Sequence, residues 1–283
     1  MYSNLVLSGG AIKSVSLLGA IKYLEEKNLI KNFKNYIGTS GGAIILFFLL
    51  IGYSSNDIKN ILLNELDFLT NINIQNITNI YYELGIDNTK KNEKILRKYL
   101  YSKCNLESIT FIEFCKKYGC NLIITGANIT TQSLDYFSID TFPNMDVIQA
   151  LLITSCIPIL YKPILFNDNL YIDGGIYSNF PLEYFEKNYN DTIGISVIAN
   201  YKKDNNNIIN YMSNILFSVM TKLSYDNIER NKDKYNICYI NFEDSSLDDI
   251  NFSLDDLEMK INKNNVDKYY DIGYDKFKNY YEN

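Results

Sequence analysis

The stretch Gly38-Thr39-Ser40-Gly41-Gly42 matches the pattern G-x-S-x-G and decides the fold of this chain. In this pattern a serine lies on a sharp turn between a strand and a helix, with its hydroxyl at the top of an α/β sheet. Residues 35–37 before it suit a short strand, and residues 41–52, which follow Ser40, carry almost no polar side chain. The stretch therefore predicts a strand, a tight turn and a helix that is buried on all sides.

The same order of elements precedes this stretch. Residues 4–7 form an apolar segment typical of a strand, the turn Ser8-Gly9-Gly10 follows, and residues 15–29 show helical spacing with a polar face. Two successive strand and helix pairs predict a parallel sheet with right-handed crossovers. We therefore expect an α/β fold.

The middle of the chain interrupts this pattern. Residues 53–118 are polar, Asn-rich and helical in spacing, and we interpret them as a helical insertion or lid with a loop near residues 71–79. We expect one domain over residues 1–283, with its core in residues 4–52 and 120–240 and a helical tail over residues 250–283. Within the second core segment, the expected strands are 121–127, 134–139, 170–172, 192–198 and 236–240, the expected helices are 147–155 and 208–228, and the expected loop is 200–207.

The composition restricts the chemistry open to Ser40. The 283 residues include no histidine, so a Ser-His-Asp triad is excluded. Either Ser40 is not a nucleophile, or another group, most simply a carboxylate, takes its proton.

Charge and cysteine usage exclude further classes of function. The net charge is −6, from 27 Lys and Arg against 33 Asp and Glu, which argues against a nucleic-acid partner. Any lipid contact has to use apolar and aromatic groups, of which 25 Tyr and 15 Phe supply many. Five cysteines without a C-x-x-C pair indicate neither disulfides nor a metal site.

The sequence also carries an expectation about location. Its first residues lack the charged and apolar regions of a signal peptide, and its longest apolar run, residues 43–51, is far shorter than the roughly 20 residues that cross a bilayer. We therefore expect no transmembrane segment and an intracellular, cytoplasmic protein that contacts membranes only peripherally.

Asp173-Gly174-Gly175 supplies the candidate base. The aspartate follows a strand-like run, and the two glycines let its carboxylate be aimed across a turn at low steric cost. The alternative interpretation is an ordinary Asp-Gly turn between two strands. An aspartate with an ordinary pKa near 3.9 is a poor base for a serine at neutral pH, so we expect geometry and burial to compensate.

The turn after the first strand is the candidate oxyanion hole. Its glycines let backbone N–H groups face a negative charge that develops at a helix N-terminus. Lys13 either assists this turn or stabilises it structurally. A dinucleotide-binding loop is the rival interpretation, but it requires glycines where Ala11 and Ser14 stand. The candidate donors are the backbone N–H groups of Gly9, Gly10, Ala11 and Gly41.

Together these segments resemble the patatin-like phospholipase family. Residues 7–14 and Leu18-Gly19-Ala20 are similar to its Gly-rich motif, and Gly38-Thr39-Ser40-Gly41-Gly42 is similar to its G-x-S-x-G. Asp173-Gly174-Gly175 is similar to its D-G-[AG], and Asn179-Phe180-Pro181-Leu182 resembles the segment that follows that aspartate. Thr154-Ser155-Cys156-Ile157-Pro158 resembles its small-residue turn before a proline. The resemblance covers roughly residues 4–52 and 120–200.

The resemblance implies a patatin-like, three-layer α/β/α fold with a central, mainly parallel sheet. It also implies a lipid acyl hydrolase of the phospholipase A or esterase type in lipid catabolism, with a Ser40–Asp173 dyad, an acyl-enzyme intermediate, and neither cofactor nor metal. Its partners would be a lipid substrate and, transiently, a membrane or micelle surface. The residues that would support the motifs are Lys13, Gly38, Gly42, Gly174 and Gly175.

Two departures from the family pattern shape the alternatives. Ala11 and Ser14 replace glycines of the Gly-rich motif, and an alanine is strained wherever φ must be positive. The alternative function is a non-catalytic scaffold that binds lipid or protein, and a nucleotide-binding protein is the third. If the chain is an enzyme, we expect the acyl chain to lie against the helix after Ser40 and residues 154–160, under the 53–118 insertion.

Overall fold

The computed structural model describes residues 2–70, 79–198, 208–242 and 263–283. The first two strands are each followed by a helix, as the sequence predicts. The strands are β1 (Asn4–Leu7), β2 (Asn35–Gly38), β3 (Gly85–Asp87), β4 (Asn121–Asn128), β5 (Ser133–Phe137), β6 (Ile159–Tyr161), β7 (Ile164–Phe166), β8 (Asn169–Asp173), β9 (Thr192–Ile198) and β10 (Asn236–Asn241). The α-helices are α1 (Val15–Glu26), α2 (Gly41–Leu50), α3 (Ser55–Thr70), α4 (Asn79–Glu83), α5 (Lys90–Cys104), α6 (Phe111–Tyr118), α7 (Val147–Thr154), α8 (Gly175–Ser178), α9 (Ile208–Asn231) and α10 (Lys263–Glu282).

A central sheet carries the fold. Its strands lie in the order β10-β9-β1-β2-β4-β8-β7, and β5 pairs with β4 beside this path. The five strands from β10 to β4 are parallel, whereas β8 runs antiparallel to β4, and β7 antiparallel to β8. Parallel strands end at the same edge, so the turns that follow β1, β2 and β9 meet there.

Both faces of this sheet are buried. Successive side chains of a strand point to opposite faces. Accordingly, Leu5 and Leu7 of β1 join one apolar cluster, while Val6 joins a second one. A parallel sheet is stable only when helices cover both faces, which gives the three-layer α/β/α architecture that the sequence predicts.

The C-terminal helix packs closely on α1, so it is part of the body of the protein. A Cβ on Gly19 of α1 would overlap the backbone carbonyl of Tyr270 in α10, and a Cβ on Gly273 would overlap the backbone of Ser16. Two glycines thus let the two helix backbones touch. Within the expected helical tail over residues 250–283, the structure describes the helix α10, Lys263–Glu282.

The structure adds short elements that the sequence did not reveal. The strand β3 lies inside residues 53–118 and pairs with β6 in a second, two-stranded sheet. Helices α3 and α5 follow the predicted helical segments of that region. The predicted loop over residues 200–207 lies outside the described residues, as does nearly all of the one over residues 71–79.

Candidate active site

Ser40 lies on the turn between β2 and α2. Its backbone has φ 50° and ψ −124°, a conformation that is costly for a residue with a Cβ and is typical of functional turns. Its backbone N–H donates a hydrogen bond to the Thr154 Oγ1 atom at 2.9 Å. The end of α7 therefore helps to hold this strained turn, a role for Thr154 that its sequence context did not indicate.

Glycines let this turn lie close to the sheet. A Cβ on Gly42 would come within 2.8 Å of the Leu7 carbonyl oxygen, and a Cβ on Gly38 within 2.6 Å of the Ala43 backbone nitrogen. Neither contact could be relieved by moving a flexible side chain. Gly42 is therefore required where the start of α2 crosses the end of β1, and Gly38 where β2 turns into α2.

Asp173 is the last residue of β8 and is almost completely buried. Its Oδ1 atom accepts a hydrogen bond from the Gly175 backbone N–H at 2.8 Å, while its Oδ2 atom has no hydrogen-bond partner among the described residues. Burial raises the pKa of this carboxyl from 3.8 to about 7, against the opposing effects of the Gly175 amide and the Ser40 hydroxyl. The expected compensation by burial is thus present.

Ser40 and Asp173 line one cavity at the edge of the sheet where β1, β2 and β9 end. The Ser40 hydroxyl is near enough to lower the pKa of the Asp173 carboxyl. The free Oδ2 atom shows that the two side chains do not yet have hydrogen-bond geometry. Such contacts are commonly loose without substrate and tighten when it binds.

The glycine-rich turn after β1 lies on the other side of Ser40. Gly9, Gly10 and Ala11 all line the cavity. The Gly9 N–H is engaged with the Asn179 carbonyl oxygen at 3.0 Å, which removes it from the expected oxyanion donors. Gly10, Ala11 and Gly41 stand where helices begin, at positions whose N–H groups have no acceptor within the helix.

The two departures from the glycine pattern have different consequences. Ala11 has φ 45°, so its Cβ is strained as expected. The Ser14 side chain fills the space between two glycines, because a Cβ on Gly10 would lie 3.1 Å from its Oγ atom and one on Gly41 would lie 3.0 Å from its Cβ. The Ser14 hydroxyl is buried and has no hydrogen-bond partner among the described residues.

Asn179, in the segment that follows Asp173, connects three parts of the site. Its side-chain Nδ2 donates to the Gly9 carbonyl oxygen at 3.3 Å and to the Ser224 hydroxyl of α9 at 3.1 Å. A Cβ on Gly9 would overlap the Asn179 Oδ1 atom, and a Cβ on Gly175 would lie 2.9 Å from it. Asn179 therefore positions the glycine-rich turn against the Asp173 turn.

The cavity is small and is covered by α9. Its volume is about 40 Å³, room for roughly three water molecules and not for an acyl chain. No described residue of 53–118 lines it; within that segment, α3 packs on α1 and α2, and α5 packs on α7. Of the expected acyl wall, Ile157 lines the cavity. The lining residues are Gly9, Gly10, Ala11, Ser40, Ile157, Asp173, Asn179, Val197, Ile198, Phe217, Met220, Thr221 and Ser224.

Lys13 lies in the protein interior and contacts an aromatic ring. Its side chain is fully buried, it is absent from the described lining of the cavity, and its ammonium lies 5.5 Å from the centre of the Phe242 ring. This cation and ring contact joins the glycine-rich turn to the end of β10.

Within the described ranges, no group of three or more Cys, Asp or Glu side chains is arranged to hold a metal ion. Among the described helices, none combines the length and the apolar character that a bilayer span requires.

Comparison with known proteins identifies relatives in sequence and in structure. The sequence model described as "Patatin-like phospholipase" matches residues 5–186. The "Probable lipid hydrolase 463L" of Invertebrate iridescent virus 6 is 39% identical over 191 residues, which cover 67% of this chain and 65% of that protein. The chain therefore spans slightly less than two thirds of the length of this relative.

Solved structures share the fold at low sequence identity. The structure of VipD from Legionella pneumophila has a TM-score of 0.61 and 18% identity, over 99% of this chain and 67% of that one. ExoU in the ExoU-SpcU complex of Pseudomonas aeruginosa has a TM-score of 0.54 and 16% identity, over 99% of this chain and 51% of that one. These similarities show a common α/β architecture.

Proposed function

The chain belongs to the patatin-like phospholipase family, and from this premise and the site geometry we propose that it hydrolyses carboxylic ester bonds of lipids. The observation that carries the proposal is the buried Asp173 carboxyl, which has one free oxygen and faces the same small cavity as the strained Ser40. This arrangement offers a nucleophile and a base in a chain without histidine.

Ser40 attacks the ester carbonyl carbon while Asp173 accepts the hydroxyl proton. The pKa of about 7 suits this task, because a general base works best when its pKa lies near the operating pH. The tetrahedral intermediate collapses, the alcohol leaves with the proton from Asp173, and Ser40 keeps the acyl group. Water, deprotonated by Asp173, then attacks the acyl carbonyl carbon. When this second intermediate collapses, the Ser40 Oγ atom takes the proton back from Asp173 and the fatty acid is released.

Backbone N–H groups stabilise the oxyanion of each tetrahedral intermediate. The donors in this mechanism are those of Gly10 and Ala11, which line the cavity with Ser40, and that of Gly41, which follows Ser40 at the start of α2. Removal of one such donor typically lowers the rate by about 10²–10³. The mechanism requires neither cofactor nor metal.

The broader proposals concern organisation and setting. We propose that residues 1–283 form a single domain with its core in residues 4–52 and 120–240. The role is the catabolism of membrane lipids by a cytoplasmic protein that contacts the membrane surface transiently.

Release of fatty acid from phosphatidylcholine vesicles tests the proposal. Wild type should release fatty acid, and Ser40→Ala should release none above background while it keeps the wild-type circular dichroism spectrum. Ser102→Ala, the same change at an exposed helical serine, should retain full activity. A wild type inactive on vesicles and on soluble nitrophenyl esters alike would instead support a non-catalytic scaffold.

A further inference from the structure

The helix α9 has two different faces along its first four turns. Its inner face carries Phe217 and Met220, which line the cavity of Ser40. Its outer face carries four apolar side chains at spacings of three or four residues, which place them in one stripe. This outer stripe consists of Met212, Ile215, Val219 and Leu223, which are 43%, 47%, 50% and 39% exposed.

The outer stripe is nearly free of charge. Between Tyr211 and Tyr225 the one charged residue is Lys222, although 21% of the whole chain is charged. The last two turns of the helix differ, because Asp226, Glu229 and Arg230 follow. An exposed apolar surface of this length beside a charged one marks an interaction site rather than ordinary solvated helix.

The stripe is continuous with the candidate active site. The same turns of α9 that expose Ile215 and Val219 place Phe217 and Met220 over Ser40. At the far end of the stripe, Leu223 and the half-exposed Tyr177 line one groove. The cavity at Ser40 has a volume of about 40 Å³, and Phe217 and Met220 of α9 occupy one side of it, so a displacement of α9 would make room for an acyl chain.

We propose that the outer stripe of α9 docks on a lipid surface and that this docking draws α9 away from the cavity. The inference rests on the proposed function, which places the substrate in such a surface. The occupant is a surface with zwitterionic headgroups, because the stripe offers a single lysine to anionic ones and the chain has a net charge of −6. Apolar burial provides the binding free energy.

Co-sedimentation with phosphatidylcholine vesicles tests the docking apart from catalysis. Every protein carries Ser40→Ala, so no vesicle is consumed. Adding Ile215→Asp and Val219→Asp should weaken vesicle binding at least tenfold, because two carboxylates would have to enter the apolar layer. The matched control is Leu165→Asp, the same kind of change at an exposed residue of β7, which should bind like its parent.

Three outcomes decide the proposal. Weakening by the α9 pair and not by Leu165→Asp supports it. The proposal is overturned if the Ile215→Asp, Val219→Asp variant binds vesicles as tightly as Leu165→Asp does. It is also overturned if the Ser40→Ala protein itself does not bind vesicles. In the latter case, the stripe would serve a protein partner.

A kinetic measurement in proteins that retain Ser40 tests the coupling to opening. The ratio of activity on vesicles to activity on a soluble nitrophenyl ester should fall at least tenfold in the Ile215→Asp, Val219→Asp variant and stay constant in Leu165→Asp. An unchanged ratio would overturn the opening step. If wild type hydrolyses neither substrate, the proposed function is refuted. The docking on vesicles is not, because vesicle binding is measured in a separate experiment.

Discussion

At the scale of single residues, the burial of Asp173 determines how basic its carboxylate is. Asp173 is nearly inaccessible to solvent, its Oδ1 atom receives one backbone hydrogen bond, and its pKa rises to about 7. A solvated aspartate would be ionised at neutral pH but too weak a base for a serine hydroxyl. The low-dielectric environment makes the carboxylate more basic and leaves one oxygen free for Ser40.

The pH dependence of catalysis follows from this shift. The base must be ionised, so kcat/KM for a soluble ester should fall as the pH drops through about 7. Above pH 8 the profile should be flat with respect to Asp173. A profile that stays level from pH 8 down to pH 5 would mean that the essential base has an ordinary carboxylate pKa, contrary to the structure.

The same shift predicts a pH-dependent gain in stability from Asp173→Asn. Because the folded pKa is raised, the protonated carboxyl stabilises the fold below about pH 4, and that contribution is lost as the pH rises to about 7. The variant should therefore resemble wild type in stability near pH 4 and exceed it at pH 8, by up to roughly 4 kcal/mol. Thermal unfolding at both pH values measures the difference. A variant less stable than wild type at pH 8 would contradict the assignment.

Relief of backbone strain at Ala11 gives a second stability prediction. Its φ of 45° disfavours a Cβ, and its side chain is exposed, so Ala11→Gly leaves no cavity. We expect a gain of a few tenths to about 1 kcal/mol after the entropy of glycine is deducted. Ala150→Gly, the same change inside α7, should lose at least about 1 kcal/mol. Equal losses in the two variants would show that Ala11 is not strained.

The site residues that could be identified from the sequence are those that lie in a recognisable short motif. Ser40 and Asp173 stand in short patterns with glycines, and the absence of histidine linked them before any contact was known. Thr154 and Asn179 act through hydrogen bonds to distant backbone groups, which depend on how α7 and the segment after Asp173 are packed. Nothing in the sequence around either residue predicts those partners.

At the scale of elements, the position of α2 depends on its close crossing with β1. Gly42→Ala should destabilise the protein by at least about 2 kcal/mol, because the new methyl would meet backbone oxygens of β1. Urea unfolding measures the loss. The control is Gly119→Ala, at a C-cap with φ 69° and open space, where only the strain of about 1 kcal/mol applies. If Gly42→Ala proved the milder change, the crossing would not be close.

Elements differed in how well the sequence predicted them. The strands β1, β2, β4, β8, β9 and β10 came from apolar runs bounded by turn signals, and the structure has them in those places. The strands β3, β6 and β7 have three residues each, too few for a periodic pattern. The position of α9 over the cavity could not be predicted from the sequence, because its apolar residues lie on two faces. One face lines the cavity and the other is exposed.

At the scale of the whole molecule, the sheet gathers segments that are distant in sequence. The turns after β1 and β2 and the end of β8 meet at one edge, and α9 closes the space between them. The carboxyl ends of β1 and β2 coincide because these strands are parallel, whereas β8 is antiparallel and reaches the same edge because Asp173 pairs with Gly126 near the carboxyl end of β4. The sequence could not predict which segment lies over the cavity of Ser40, because the polar helical residues 53–118 and the more apolar α9 were both candidates.

The most direct test of the account is the reaction of the protein with a fluorophosphonate, followed by peptide mapping. The account predicts a single adduct on Ser40, no adduct in Ser40→Ala, and labelling slowed at least about 100-fold in Asp173→Asn. An adduct that persists in Ser40→Ala, or Asp173→Asn labelled at the wild-type rate, would contradict the Ser40–Asp173 pair.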